Sequence, residues 1–273
     1  MVLRIVALAI GLLVAACVFY VVTSYTHAFW HRRLSAPVGR LVRAALLEFG
    51  ACMLLLPFWP LWLLVGASYA VTHEGEGEPR GARHPVILLH GFAMNRTNWI
   101  FLGRRLAKRG IGPLYGTSYF SPQSVRRSAA KLARFVAAVR AREQCPRVDI
   151  VAHSLGGVVA RYYIERLDGA ASVGRLVTIG SPHRGTAVAR LGALFPSAQE
   201  TRADSAFLNE LPLSARNDVH YTSVWSRADA IIEPPESASI VPAGEDRVFD
   251  DLGHLSLLLS PRVLDTVAER LSA

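Results

Sequence analysis

Arg147-Val148-Asp149-Ile150-Val151-Ala152-His153-Ser154-Leu155-Gly156-Gly157-Val158-Val159-Ala160-Arg161-Tyr162-Tyr163-Ile164 joins three unlike pieces: a β-branched run, small residues around one serine, and an apolar run. The first piece reads as a buried strand and the last as a helix, because its apolar positions recur at helical spacing. A serine on the sharp turn between them is a nucleophile elbow, where strain demands small residues two places before and two places after. Gly156 meets that demand on one side. Ala152 stands where the motif usually has glycine and is still small enough. The bare five-residue pattern is a weak signal, but its place between strand and helix makes it a strong one.

An elbow serine needs a base, an acid to orient that base, and donors for the oxyanion, in the chain order Ser, Asp/Glu, His. Upstream, Pro85-Val86-Ile87-Leu88-Leu89-His90-Gly91-Phe92 is an apolar strand ending in His-Gly. The Phe92 N–H then serves as one oxyanion donor and that of Leu155, the residue after the serine, as the other. Such donors act where charge appears only in the transition state, and losing one costs ~100- to 1000-fold in rate. Downstream, Val219 to Ser226 alternates like a strand and runs into Arg227-Ala228-Asp229 and a loop with Pro234 and Pro235. That puts the Asp229 carboxylate at a strand's C-terminal end, where open parallel sheets build their sites. His254, in Gly253-His254-Leu255 ahead of a terminal helix, stands where the base is expected.

From about His84 to the C-terminus the chain resembles the bacterial class 2 lipase and esterase group of the α/β-hydrolases. The matching pieces are His90-Gly91-Phe92, Ala152-His153-Ser154-Leu155-Gly156-Gly157, Ser181-Pro182-His183-Arg184-Gly185-Thr186, Ser205-Ala206-Phe207-Leu208-Asn209-Glu210-Leu211, Asp229 and Gly253-His254. They come in the family's order, and the Ser-Pro-His-Arg-Gly-Thr piece is more specific to lipase-like members than the elbow is. The resemblance implies Ser154 as nucleophile, His254 as general base and acid, and Asp229 as the residue orienting it.

Other residues compete for these roles. Asp246, Asp250 and Asp251 cluster just before His254 and read as surface-loop residues, since an acid so near the base in sequence seldom reaches around its imidazole. As a calcium site that cluster matches no EF-hand spacing. His90, His153 and His183 read as structural or hydrogen-bonding groups near the site. No metal site, redox motif or cofactor is expected, and Cys17, Cys52 and Cys145 make no disulfide framework.

The chain has 273 residues and 51% hydrophobic content. The apolar excess lies at the N-terminus, in spans of about 5–26 and 49–71, each long enough for a bilayer core that takes ~20 helical residues. Pro57 and Pro60 in the second argue for a kink or a re-entrant segment. Arg32, Arg33, Arg40 and Arg43 lie between the spans, which by the positive-inside rule makes that loop cytoplasmic and both ends external. A cleaved signal peptide is the rival reading, from Arg4, an apolar core and small residues; Val14-Ala15-Ala16-Cys17 even looks like a lipoprotein processing site. The apolar run that follows, Val18-Phe19-Tyr20-Val21-Val22, favours an uncleaved helix. The formal net charge of +9 comes with no nucleic-acid-binding motif.

The expected organisation is a membrane anchor at 1–72, a Gly- and Glu-rich linker at 73–83, and a catalytic domain at 84–273. That domain should be a minimal α/β-hydrolase with about six mostly parallel strands and helices on both faces. Strands are expected at 85–90, 111–119, 147–152, 174–180, 219–225 and 238–242, with no extra N-terminal strands. Helices are expected near 95–109, 124–143, 155–167 and 261–271. Residues 183–216 form an insertion that reads equally as a lid, an acyl-binding wall or a packed crossover. The function expected is a membrane-anchored serine hydrolase of lipid-like carboxylic esters, in a bacterial inner membrane with its catalytic domain outside. An acyltransferase on the same scaffold and a non-catalytic membrane scaffold are the alternatives.

Overall fold

Strand residues alternate between two apolar layers, and that alternation sets the architecture. In β2 (Val86–Leu89), Val86 and Leu88 join one core while Ile87 and Leu89 join the other. β4 (Val148–His153) does the same, with Val151 on the first side and Ile150 and Ala152 on the second. Strands buried on both faces need cover on both, the arrangement of parallel sheets. The computed structural model describes residues 2–31, 36–61, 68–71, 84–211, 213 and 218–273.

The other strands are β1 (Ser68–Val71), β3 (Leu114–Thr117), β5 (Val173–Ile179), β6 (His220–Ser226) and β7 (Glu245–Phe249). Their order in the sheet is β1-β3-β2-β4-β5-β6-β7. β2 to β7 form a six-stranded parallel sheet, and β1 runs antiparallel to β3 at the edge. Helices α4 (Val125–Glu143) and α5 (Leu155–Arg166) cover one face. The stripe Val125, Ala129, Leu132, Val136 and Val139 is the buried side of α4. Helices α3 (Ile100–Lys108) and α8 (Pro261–Ser272) cover the other.

Two expectations about strands are corrected. The last strand lies at 245–249, not at 238–242; there the chain makes a short 3-10 turn over Pro235–Ala238 and then a loop. Pro242 offers no N–H to a ladder. An additional N-terminal strand, β1, is present as well.

The N-terminal region packs on the domain. Helix α1 (Val2–Trp30) lies against α2 (Val38–Leu55). Ala51, Cys52 and Leu55, with Cys17 of α1, share a core with Leu252, Leu255 and Leu258. Arg40 pairs with Asp250, and Arg43 lies 3.5 Å from Asp251. The second apolar span is therefore not one continuous helix. α2 ends at Leu55, a 3-10 stretch runs over Leu56–Leu61 with Pro57 and Pro60, and 68–71 are β1. Proline lacks the N–H that an α-helix interior needs. The expected linker, 73–83, lies outside the described residues, as do Arg32 and Arg33.

The insertion divides its apolar residues. Its short helices α6 (Pro196–Glu200) and α7 (Ala206–Asn209) sit over the start of α4, where Ser197 donates its N–H to Pro122 O at 3.4 Å. Phe207, Leu208 and Leu211 enter the main core. Leu191 and Leu194 stay 78% and 91% exposed.

Candidate active site

Ser154 sits between β4 and α5 with φ 54° and ψ −128°, a left-handed conformation rare for any residue but glycine. Such strain persists only where the surroundings enforce it. Here the Ser154 N–H donates to Ile179 O at 2.9 Å, and α5 presses directly on β2. A Cβ on Gly156 would lie 2.6 Å from both Leu89 O and His90 O, so only glycine permits that approach. Ala152 is fully buried and accommodated.

Next to Ile179, Gly180 lies beneath an acid–base pair. A Cβ there would be 3.2 Å from Asp229 Oδ2 and 3.2 Å from His254 Nδ1. Those two atoms are 2.8 Å apart, and both residues are buried. The other carboxyl oxygen of Asp229 accepts N–H bonds from Ile231 at 2.8 Å and Ile232 at 3.2 Å, which fixes its orientation. Burial opposes a charge on His254. The attraction and hydrogen bond of Asp229, with the added charge of Glu48, outweigh it and raise its pKa above the ordinary histidine value.

The competing acids go elsewhere. Asp246 accepts the N–H of Ile240 at 3.0 Å. Asp250 pairs with Arg40 and Arg227, and Asp251 with Arg43 and Arg262.

The three further histidines named from the sequence, His90, His153 and His183, are buried and held neutral. Burial drives His153 and His183 well below the ordinary histidine pKa, with nearby His254 and Arg161 respectively adding to the effect. His153 Nε2 donates to the His254 carbonyl at 3.2 Å, and the two rings lie 4.6 Å apart. His183 bridges Thr178 Oγ1, at 2.9 Å, and Arg161. Burial pushes His90 down to about 4. It holds the loop carrying Phe92, bonding Gly91 O through Nδ1 at 2.8 Å. A Cβ on Gly91 would come within 2.7 Å of Ser154 Cβ, so this loop lies against the serine. Leu155 opens α5, and the first N–H groups of a helix have no partner within it.

Of the residues expected from the sequence, Phe92 follows β2, Ser154 and Leu155 follow β4, and Asp229 follows β6 and pairs with His254 beside Gly180, the residue after β5, so all lie at the C-terminal side of the sheet. Phe92 is partly exposed and its ring lies 5.6 Å from that of Phe195 in the insertion. Sequence reasoning missed Glu48, whose carboxyl group accepts the N–H of Leu255 at 2.8 Å and of Ser256 at 2.9 Å. Its signal was a lone acid in an otherwise apolar stretch of helix.

A family model described as Lipase (class 2) matches residues 83–255. Among solved structures, the mature form of the Bacillus licheniformis lipase BlEst2 superposes with a TM-score of 0.65 at 14% identity, covering 76% of this chain and 98% of that one. Aspergillus fumigatus lipase B gives 0.63 at 19% identity over 76% of this chain and 56% of its own. The Exiguobacterium antarcticum esterase EaEST gives 0.55 at 16% identity over 76% and 95%. At these identities the likeness is one of fold.

Proposed function

Because the chain belongs to the class 2 lipase family, carboxylic ester hydrolases of the α/β-hydrolase fold, we propose that Ser154, His254 and Asp229 form its catalytic triad. The observation that carries this is the 2.8 Å bond between His254 Nδ1 and Asp229 Oδ2, directly above the segment to which Ser154 is tied. Asp229 holds the imidazole with its proton on Nδ1, which leaves Nε2 free to act as a base. His254 takes the Ser154 hydroxyl proton as Oγ attacks the ester carbonyl, and the Phe92 and Leu155 N–H groups receive the oxyanion. His254 then protonates the departing alcohol. Water, activated by the same base, releases the acid from the acyl-enzyme. A fluorophosphonate probe tests the assignment: it should label the wild-type protein and leave Ser154→Ala unlabelled. Labelling that survives in Ser154→Ala would place the nucleophile elsewhere.

The substrate we propose is an ester with a lipid-like acyl chain. Exposed Phe92, in the loop against the serine, lies 5.6 Å from the ring of Phe195, and Leu191 and Leu194 are exposed on the insertion that carries Phe195, an apolar surface suited to an acyl chain or a lipid surface.

We also propose that the N-terminal helices attach the enzyme to a bacterial inner membrane. Stretches of 24 and 21 residues, with mean hydropathies of 2.3 and 1.8, are long and apolar enough to cross one. Packing favours a different attachment. Leu8, Leu12, Phe19, Val22 and Phe29 are exposed on α1, as are Val38, Val42, Leu46 and Leu54 on α2. Ile10 and Val18 are exposed on α1 as well, so its first half is apolar and uncovered all round, while Cys17, Val21 and Ala28 are its buried residues. The pair thus rests its outer face in lipid, with the domain stacked on its inner face. The ion pairs of Arg40 and Arg43 tie the start of α2 to the domain, which supports one side of the bilayer for both, since two crossings would separate them. Arg4 followed by an apolar helix has the layout of an export signal, which supports a domain outside the cell membrane.

A further inference from the structure

We propose that Glu48, on α2, is a positioning residue for His254: its carboxyl group clamps the backbone of the turn that carries the base. The proposal rests on the reading of Ser154 and His254 as nucleophile and base.

Glu48 is 1% exposed and stands 207 positions from the turn it holds. The Leu255 N–H donates to both its oxygens, at 2.8 and 2.9 Å, and the Ser256 N–H to Oε2 at 2.9 Å. Tyr20 of α1 donates its hydroxyl to Oε1 at 3.1 Å. On the other side of His254, Gly253 closes the turn by donating its N–H to Ser256 Oγ at 2.7 Å. A Cβ on Gly253 would lie 2.5 Å from Glu48 Oε2, so the glycine is what lets the carboxyl come this close. Leu255 and Ser256, after His254, are therefore held by one side chain from outside the hydrolase fold, and Gly253, before it, by the Ser256 hydroxyl.

The same helical pair reaches the acid. Tyr25 of α1 donates to Ala228 O at 3.0 Å, one residue before Asp229. Ser226 Oγ accepts the N–H groups of Ala228 at 3.2 Å and Leu252 at 3.3 Å, linking the two loops. Packing alone gives no reason for an acid here. Ala44, Ala51, Cys52 and Leu55 form the buried face of α2 around it, and burying a carboxyl group is costly unless hydrogen bonds compensate. The bonds that compensate are those that hold the base.

The charged and titratable groups facing His254 are Asp229 from the loop after β6, Glu48 from α2 and His153 from β4. Removing the Glu48 charge should lower the pH at which His254 gains its proton.

The test uses the full chain with Glu48→Gln, which keeps the shape and loses one acceptor and the charge. With a soluble p-nitrophenyl ester, kcat should fall ~10- to 100-fold while KM stays within about twofold, since even a 1 Å displacement of a catalytic group costs ~100-fold. The acid limb of the kcat/KM profile should move to lower pH. In a His254→Ala background the same change should leave residual turnover unaltered, because Glu48 acts through His254. A folded Glu48→Gln protein with wild-type kcat and pH profile would overturn the proposal. Should that variant fail to fold, Tyr20→Phe removes only one bond to the carboxyl group; a fall in kcat at constant KM supports the clamp and wild-type kcat overturns it. Retained activity in His254→Ala itself would instead refute the triad assignment, a separate outcome.

Discussion

Tyr119 grips His90 in three ways: its N–H donates to His90 Nε2 at 3.1 Å, its hydroxyl donates to His90 O at 2.7 Å, and the rings stack 4.3 Å apart. Because Nε2 accepts, the imidazole proton lies on Nδ1, where it bonds Gly91 O. The loop carrying Gly91 and Phe92 is thus held by a histidine that must stay neutral.

That requirement has a sign. His90 has a folded pKa of about 4, lowered first by burial and further by Lys131, below an unfolded value near ~6.5. The unfolded chain binds the proton more readily, so this stability is complete above pH ~6.5 and is lost as pH falls toward 4. His153 and His183 act in the same direction. Thermal melts from pH 7 to 4 should show a steep loss, and His90→Asn should lessen the slope. An unchanged slope would mean His90 takes no part in it.

Ser154→Ala and His254→Ala should each remove nearly all turnover, and the double variant should be scarcely worse, because the groups act as a unit. Asp229→Asn should cost ~10,000-fold by favouring the wrong tautomer. Asp250→Asn and Asp251→Asn should keep kcat within about threefold, since both carboxylates are spent on arginines and loss of such ion pairs touches only stability. Steady-state kinetics on the six variants checks the ranking; a near-active Asp229→Asn would remove it from the triad.

Acyl-chain preference follows from the rim. A p-nitrophenyl ester series should show higher kcat/KM for eight or more acyl carbons than for two to four. Leu194→Ser with Phe195→Ser should reduce that advantage about tenfold, as two side chains lose contact with ~1–3 kcal/mol of apolar substrate surface. A sharp optimum at acetate or butyrate would refute a lipid-like substrate.

For membrane attachment, Val42→Glu with Leu46→Glu should release the protein from vesicles in flotation, since each charge at a lipid-facing position is penalised by ~2–3 kcal/mol. Reporters fused after His31 and at the C-terminus should report the same side of the membrane. Opposite sides would restore two crossings.

The elbow was legible because strand, turn and helix each carry their own signal. Asp229 and His254 were legible because open sheets place such groups at strand ends. β7 was not: Glu245, Asp246 and Arg247 open a half-exposed edge strand, where no buried face imposes alternation. β1 was hidden for the opposite reason, its few residues continuing an apolar run whose composition suits a helix as well. The role of Glu48 needed tertiary structure, since nothing local pairs residue 48 with residue 255.

That separation sets a timetable for the newborn enzyme. At ~5–20 residues per second of synthesis, the helix bearing Glu48 waits about 10–40 s for the turn it will hold. The turn carrying Ser154 is finished well before the last acceptor meets its amides. If His254 is the base, an ester hydrolase assembled in this order stays idle until the turn carrying it is made and the helix bearing Glu48 joins it.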